Sequence, residues 1–127
     1  MIGVLEIIVR PEAGYPVYSY ENKELSEERV TYRLADDPEA RAAAEVALAA
    51  FRALECRDAA RVDIRSDGQG RPQFLEVNPI AGLNPVHSDL PMIAQMAGHD
   101  FDWLIGEILG AACDRLGLAG PRQRAAA

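Results

Sequence analysis

The chain has 127 residues, of which 49% are hydrophobic and 26% charged, a composition typical of a soluble globular domain rather than of a disordered segment. Its formal net charge of −7 argues against non-specific binding to nucleic acid or to an anionic membrane, because both are themselves negative. No apolar run approaches the roughly 18 residues that a membrane span needs. Cys56 and Cys113 lack a Cys-x-x-Cys spacing, which favours two thiols in a reducing cytoplasm over a disulfide or a metal site.

The first part of the chain is predicted to be extended. Ile2 to Val9 is a β-branched run typical of a buried strand, and the turn-forming residues RPEAGYP follow it. Val17 to Leu25 is a second candidate for a strand or an extended loop, and Val30 to Leu34 is a third.

The first predicted helix has the clearest start signal in the chain. Asp37 can cap it, Pro38 suits the first helical position, and Glu39 favours the positive N-terminal end. Six residues at helical spacing are expected to form its buried face: Ala43, Val46, Ala47, Ala50, Phe51 and Leu54.

A β-hairpin and two further helices are predicted after it. The alternating runs RVDIR and QFLEV flank the turn-rich residues SDGQGRP, where Gly68 and Gly70 are available for positive φ. DLPMIAQMAG predicts a short helix that ends at Gly98, and the next helix is capped by Asp100 and stopped by Gly117. The buried stripe of this last helix is expected to comprise Phe101, Leu104, Ile105, Ile108, Leu109 and Ala112. Together these elements predict an α/β or α+β fold, a mainly antiparallel sheet with helices packed on one side.

Polar side chains share one face of the predicted hairpin. With a turn centred between Gln69 and Gly70, residue 61 pairs with 78, 63 with 76, and 65 with 74, so that Asp63 and Glu76 face each other with Cβ atoms roughly 4.5–5.5 Å apart. Two opposed carboxylates repel unless a cation or a proton lies between them. Arg61 is one candidate for that cation. A divalent ion such as magnesium is another, with Asn78 as a third oxygen donor. The simpler alternative is that both acids face water and pair with nearby arginines.

The order of these motifs resembles the C-terminal part of the ATP-grasp ligases. It comprises Arg61-x-Asp63, then Glu76-x-Asn78, a glycine-containing loop and a helix. The similarity to the D-alanine–D-alanine ligase branch runs from YSYENK through ARVDIRSDGQGRPQFLEVNPIAGL to HSDLPMIAQMAG. It covers roughly Ile2 to Leu116, which implies a partial ATP-grasp domain over 1–117, its C-terminal lobe, and a loose tail over 118–127.

The resemblance implies roles for several residues around the hairpin. Asp63, Glu76 and Asn78 would hold two magnesium ions that bridge the nucleotide phosphates. Arg61 would lie near the transferred phosphoryl group and stabilise the tetrahedral oxyanion of the ligation step.

Three further residues match the family outside the hairpin. Lys23 would contact phosphate, the backbone N–H of Gly82 would face the developing oxyanion, and Ser88 would bind the carboxylate of the acceptor. Two stretches depart from the family pattern: YENKE stands where YEAKY is usual, and NPIAG, followed by a longer loop, stands where NTxPG is usual. Because that loop shapes the acceptor pocket, the second substrate is left open.

The implied function is an ATP- and magnesium-dependent ligase of amino-acid substrates, acting in the cytoplasm in peptidoglycan biosynthesis. The resemblance places Met1 inside the ATP-grasp domain, so we expect the chain to need the N-terminal lobe of the ligase as a partner and to bind ATP poorly alone. The alternative is a truncated or degenerate module without catalytic activity, acting in binding or as a homodimer; an exposed apolar face next to Ile2–Val9 would favour it. A free-standing magnesium-dependent hydrolase is a third hypothesis, for which the sequence offers no general base.

Overall fold

A computed structural model describes residues 1–9 and 30–120 of the chain. The predicted extended segment from Val17 to Leu25, with Lys23, lies outside these residues. The strands in the described part are β1 (Val4–Val9), β2 (Val30–Ala35), β3 (Arg61–Ser66) and β4 (Pro72–Asn78). The helices are α1 (Pro38–Ala53), α2 (Asp89–Met96) and α3 (Phe101–Leu116). The fold class is therefore α+β, as predicted. Among the described helices, none combines the length and the apolar character that crossing a membrane requires.

The four described strands form two antiparallel pairs. β1 pairs with β2, with Val4 opposite Ala35 and Val9 opposite Val30, and β3 pairs with β4. Helix α1 packs against both strands of the second pair and also touches β1, so it connects the two sheets. Helix α2 packs against β1 and α3. The hairpin that carries the predicted site thus packs against α1. Helix α2, which follows the hairpin, packs against β1 of the first sheet.

Helix α1 starts as its sequence predicts, but one residue of its predicted buried face is exposed. The Asp37 carboxylate accepts a hydrogen bond from the backbone N–H of Ala40 at 3.0 Å, and Pro38 is the first helical residue. Ala40 and Ala44 are the buried positions, and Leu54 is 53% exposed. The prediction for Leu54 is wrong because the helix ends at Ala53, and a residue beyond the end no longer follows the helical face.

Helix α3 provides the largest fully buried side chain of the described residues. Asp100 accepts a hydrogen bond from the backbone N–H of Trp103 at 2.7 Å, and Gly117 ends the helix with φ of 66°, both as predicted. Leu104 is 0% exposed, which confirms its place in the core, whereas Leu109 is 50% exposed and was wrongly predicted to be buried. Five positions separate the two leucines, which turns Leu109 about 140° round the helix from Leu104.

Candidate metal and phosphate site

The register of the β3–β4 hairpin brings the predicted site residues together. Arg61 pairs with Asn78 and Asp63 with Glu76, as expected from alternation. Towards the turn the register shifts by one residue, so that Arg65 lies opposite Gln73 and the predicted pairing of residues 65 and 74 is wrong. The cause is a β-bulge in β4, which inserts one extra residue and locally bends the strand. Because the bulge lies on the turn side of Asp63, the pairing of the site residues is unchanged.

The turn of the hairpin is organised by Asp67. One carboxylate oxygen of Asp67 accepts hydrogen bonds from the backbone N–H groups of Gln69, at 2.9 Å, and Arg71, at 3.0 Å. These bonds lower the pKa of Asp67, with Arg71 the largest cause. Gly70 adopts φ of 72°, as its position in a tight turn predicts; Gly68 does not adopt positive φ. The five residues between the strands therefore form a defined turn, which fixes where β4 begins.

Arg61 lies at the centre of the polar face of the hairpin. It donates from Nε to Asp63 Oδ1 at 2.7 Å and from Nη2 to Asp63 Oδ2 at 2.9 Å, a bidentate pair. Nη1 donates to Asp89 Oδ2 at 2.9 Å, and Nη2 lies 3.8 Å from Glu76 Oε1. The hydrogen bonding that Arg61 donates to Asp63 is the largest cause that raises the pKa of Arg61, so the guanidinium stays charged at every ordinary pH. Arg61 is thus the cation between the two facing carboxylates.

The charges of this cluster are unbalanced. One guanidinium faces three carboxylates, those of Asp63, Glu76 and Asp89, which leaves a net charge of −2. Glu76 has the loosest contact and the most exposed side chain of the three, at 66%. A carboxylate bound bidentately to an arginine keeps a second lone pair on each oxygen. Asp63 and Glu76 therefore both retain acceptor capacity towards a second cation.

Asn78 completes the set of oxygen donors. Its Oδ1 accepts a hydrogen bond from the backbone N–H of Ile80 at 3.1 Å, which starts the loop after β4 and leaves one lone pair of that oxygen. Within residues 1–9 and 30–120, no group of three or more His, Cys, Asp or Glu side chains could hold a metal ion. The set here has two carboxylates and one carboxamide. The two carboxylates approach the guanidinium of Arg61, and oxygen donors of these types are the ligands that suit a hard divalent ion such as magnesium.

The loop between β4 and α2 brings Gly82 and Ser88 together. Ser88 Oγ accepts a hydrogen bond from the backbone N–H of Asn84 at 3.0 Å, and it makes no capping bond to α2 although Ser88 occupies the N-cap position. A Cβ atom added at Gly82 would lie 2.7 Å from Ser88 Oγ, so a side chain there would force the hydroxyl to move. The hydroxyl of Ser88 thus closes the loop against Gly82 and does not cap α2.

Asp89 is the site residue that sequence analysis missed. Its carboxylate accepts a hydrogen bond from Arg61, 28 residues earlier in the chain. Alternation along a hairpin gives no information about a residue on a following helix. One signal was present: an arginine carries five N–H donors, and a single carboxylate uses two of them, so Arg61 calls for a further acceptor.

These observations define an α+β domain with an arginine–carboxylate cluster on a β-hairpin, and the comparisons with known proteins assign it to a family. Residues 2–110 match the family model described as D-ala D-ala ligase C-terminus. The chain belongs to that family.

Its relatives include complete ligases. The chain is 40% identical over 109 residues to a D-alanine–D-alanine ligase of Alcanivorax borkumensis, covering 84% of this chain and 35% of the relative. It is 39% identical over 111 residues to a D-alanine–D-alanine ligase of Aquifex aeolicus, covering 85% of this chain and 35% of that protein. An uncharacterized protein of Sinorhizobium fredii, y4sG, is 46% identical over 68 residues, 54% of this chain and 20% of that protein. The chain thus spans about a third of the length of the two ligases.

Proposed function

We propose that this chain is the C-terminal lobe of an ATP- and magnesium-dependent ligase that joins the carboxylate of one amino acid to the amine of another, as D-alanine–D-alanine ligases do. One observation carries the proposal. Asp63 and Glu76 are direct cross-strand partners that converge on Arg61, within a segment matched over residues 2–110 by the ligase family.

The hairpin would bind the nucleotide phosphates through a divalent ion. Asp63, Glu76 and Asn78 offer the oxygen ligands: Asp63 lies opposite Glu76, and Asn78 lies opposite Arg61. Magnesium, when bound, supplies charge neutralisation and orientation for the phosphate oxygens. Arg61 places a permanent positive charge beside these ligands, where it would contact the transferred phosphoryl group and the oxyanion of the second step.

The chemistry proposed for the complete site has two steps. A substrate carboxylate attacks the γ-phosphorus of ATP, which forms an acyl phosphate and releases ADP; an amine then attacks the acyl carbon and expels phosphate. Neither step requires a covalent bond to the protein, so the residues act by positioning and by charge. The backbone N–H of Gly82 would face the oxyanion, Ser88 the acceptor carboxylate, and Lys23, outside the described residues, the phosphates.

The proposal includes the rest of a ligase as the partner of this chain. Its support is the coverage of the relatives, since the chain aligns with 35% of the ligase of Alcanivorax borkumensis. We propose that the isolated chain binds ATP weakly and is inactive, and that the complete assembly works in the cytoplasm on amino-acid substrates.

A binding module without catalysis is the second candidate. Two of the three proposed metal ligands already have hydrogen-bond partners within the chain, because Arg61 donates to both oxygens of Asp63 and the backbone N–H of Ile80 donates to Asn78. In addition, β4 and the loop after it expose large apolar side chains: Phe74, Leu75, Ile80, Leu83 and Val86. Such a surface suits a protein partner.

A ligase chimera separates the two candidates. In this chimera, the 109 aligned residues of the Alcanivorax borkumensis ligase are replaced by those of this chain. We expect D-alanine-dependent release of phosphate from ATP, and we expect Asp63→Asn to lower its rate about 100-fold, because a ligand of the metal is lost. The matched control is Glu45→Gln, which removes one charge from the exposed face of α1 and should leave the rate unchanged.

The opposite result identifies the binding module. If the chimera folds, as judged by cooperative thermal unfolding, and its phosphate release does not depend on D-alanine or on Asp63, the ligase proposal is wrong for this chain.

A further inference from the structure

The carboxylate of Asp89 is the least exposed partner of any described ion pair. Its side chain is 11% exposed, and it lies on the first residue of α2, an element separate from the hairpin. By comparison, the contact of Arg61 with Glu76 is long, at 3.8 Å, and open to solvent. An ion pair this shielded from water is screened little by salt, so it fixes charge and position more firmly than a surface pair does.

The donors of Arg61 are divided between two carboxylates on two elements. Nε and Nη2 bind Asp63 on the same strand, and Nη1 binds Asp89 on α2. A guanidinium is planar, so two carboxylates attached along different edges fix both its position and the orientation of its plane. Without Asp89, Arg61 would keep its hydrogen bonds to Asp63 and the long contact with Glu76, and both of those carboxylates are proposed metal ligands.

The charge of Arg61 opposes a divalent cation at the same carboxylates. Two like charges a few ångströms apart repel strongly at the edge of a protein, where water screens them only in part. Asp89 supplies a negative charge that balances Arg61 and that does not belong to the proposed ligand set. The charges of Asp63 and Glu76 then remain for the ion, and the net charge of −2 matches one divalent cation.

We infer that Asp89 is a positioning residue for the metal site: it holds Arg61 and neutralises its charge, so that Asp63 and Glu76 can bind a divalent cation beside the guanidinium. This inference rests on the magnesium site of the proposed function. If Asp89 served only the helix, its substitution would have the same effect with and without Arg61. An acid in the first turn of α2 stabilises that helix whether or not Arg61 is present.

The test is a magnesium titration of the full chain followed by amide chemical shifts. Four proteins form a double-mutant cycle: the unmodified chain, Asp89→Asn, Arg61→Gln and the double variant. We expect Asp89→Asn to weaken magnesium binding about tenfold, the lower end for residues that act through another group at a metal site. In the Arg61→Gln background the same substitution should change the affinity less than about twofold, because there is no guanidinium charge to balance.

A second signal reports on Arg61 without metal. The Nε–Hε resonance of Arg61 should shift or broaden in Asp89→Asn, because one of the two anchors of the guanidinium loses its charge, and it should not change in the control Glu45→Gln. Asp89→Glu keeps the carboxylate, and it is the variant to measure if Asp89→Asn fails to fold. It should bind magnesium within about threefold of the unmodified chain, since its charge still reaches Arg61.

Each result decides one of the two proposals. If the unmodified chain shows no magnesium-dependent shifts, the magnesium site of the proposed function is contradicted. If the unmodified chain binds magnesium and Asp89→Asn binds it equally well, or if the loss is the same with and without Arg61, the role assigned to Asp89 is overturned and the magnesium site is not. A drop of tenfold or more in Asp89→Glu also overturns it.

Discussion

Arg61→Gln is expected to lower the turnover number of the ligase chimera by about 10²–10³-fold, the effect of losing one group that stabilises developing charge in a transition state. Glutamine retains a hydrogen-bond donor but no charge, so Asp63 and Asp89 lose the cation that they share. The measurement is D-alanine-dependent phosphate release at saturating ATP. A fall in turnover larger than any rise in the Michaelis constant is expected, because the group acts on the transferred phosphoryl group and not on ground-state binding alone.

The matched control for Arg61 lies four residues further along the same strand. Arg65 is exposed and pairs across the hairpin with Gln73, beyond the β-bulge. Arg65→Gln removes the same charge from β3 and should leave the turnover number within about twofold, as is usual for a substitution on the surface. Equal losses in the two variants would contradict a specific role for Arg61, and would point to the overall charge of the strand.

Leu104→Ala is expected to lower the free energy of unfolding by about 3 kcal/mol, the usual cost of truncating a fully buried leucine. Leu104 is completely shielded from solvent on α3, and α3 packs against α2, whose first residue binds Arg61. The loss of methyl groups leaves a cavity that the surrounding side chains fill only in part. The measurement is denaturant unfolding of the chain, with the midpoint and the slope of the transition both fitted.

Leu109→Ala on the same helix is the control for Leu104→Ala. Leu109 is half exposed, so its truncation should cost no more than about 1 kcal/mol. If the two alanine variants unfold at the same denaturant concentration, Leu104 does not anchor the core.

The local elements of this fold were predictable because their signals are short in range. Asp37 with Pro38 and Asp100 with Gly117 mark helix ends through hydrogen bonds and φ angles that involve only nearby residues. The pairing of Asp63 with Glu76 was predictable for a similar reason, because antiparallel strands alternate their faces with a period of two.

The predictions failed where contacts between residues distant in the sequence determine the structure. Alternation cannot reveal the bulge in β4, since the turn held by Asp67 sets where that strand begins. Helical spacing identified the buried stripe of α3 but not where that stripe ends on the helix surface. Leu109 was therefore wrongly assigned to it. Asp89 was missed because its partner lies on another element, and only the tertiary packing of α2 brings the two together.

Anomalous diffraction from crystals of the chain soaked in Mn²⁺ tests the magnesium site most directly, because Mn²⁺ takes the same oxygen ligands. The predicted result is one strong peak between β3 and β4, bonded to carboxylate oxygens of Asp63 and Glu76 at about 2.1 Å, with the carboxamide oxygen of Asn78 as the third protein ligand. The magnesium site would be contradicted if no anomalous peak appeared at the hairpin and Arg61 were still bound to both oxygens of Asp63 at saturating Mn²⁺.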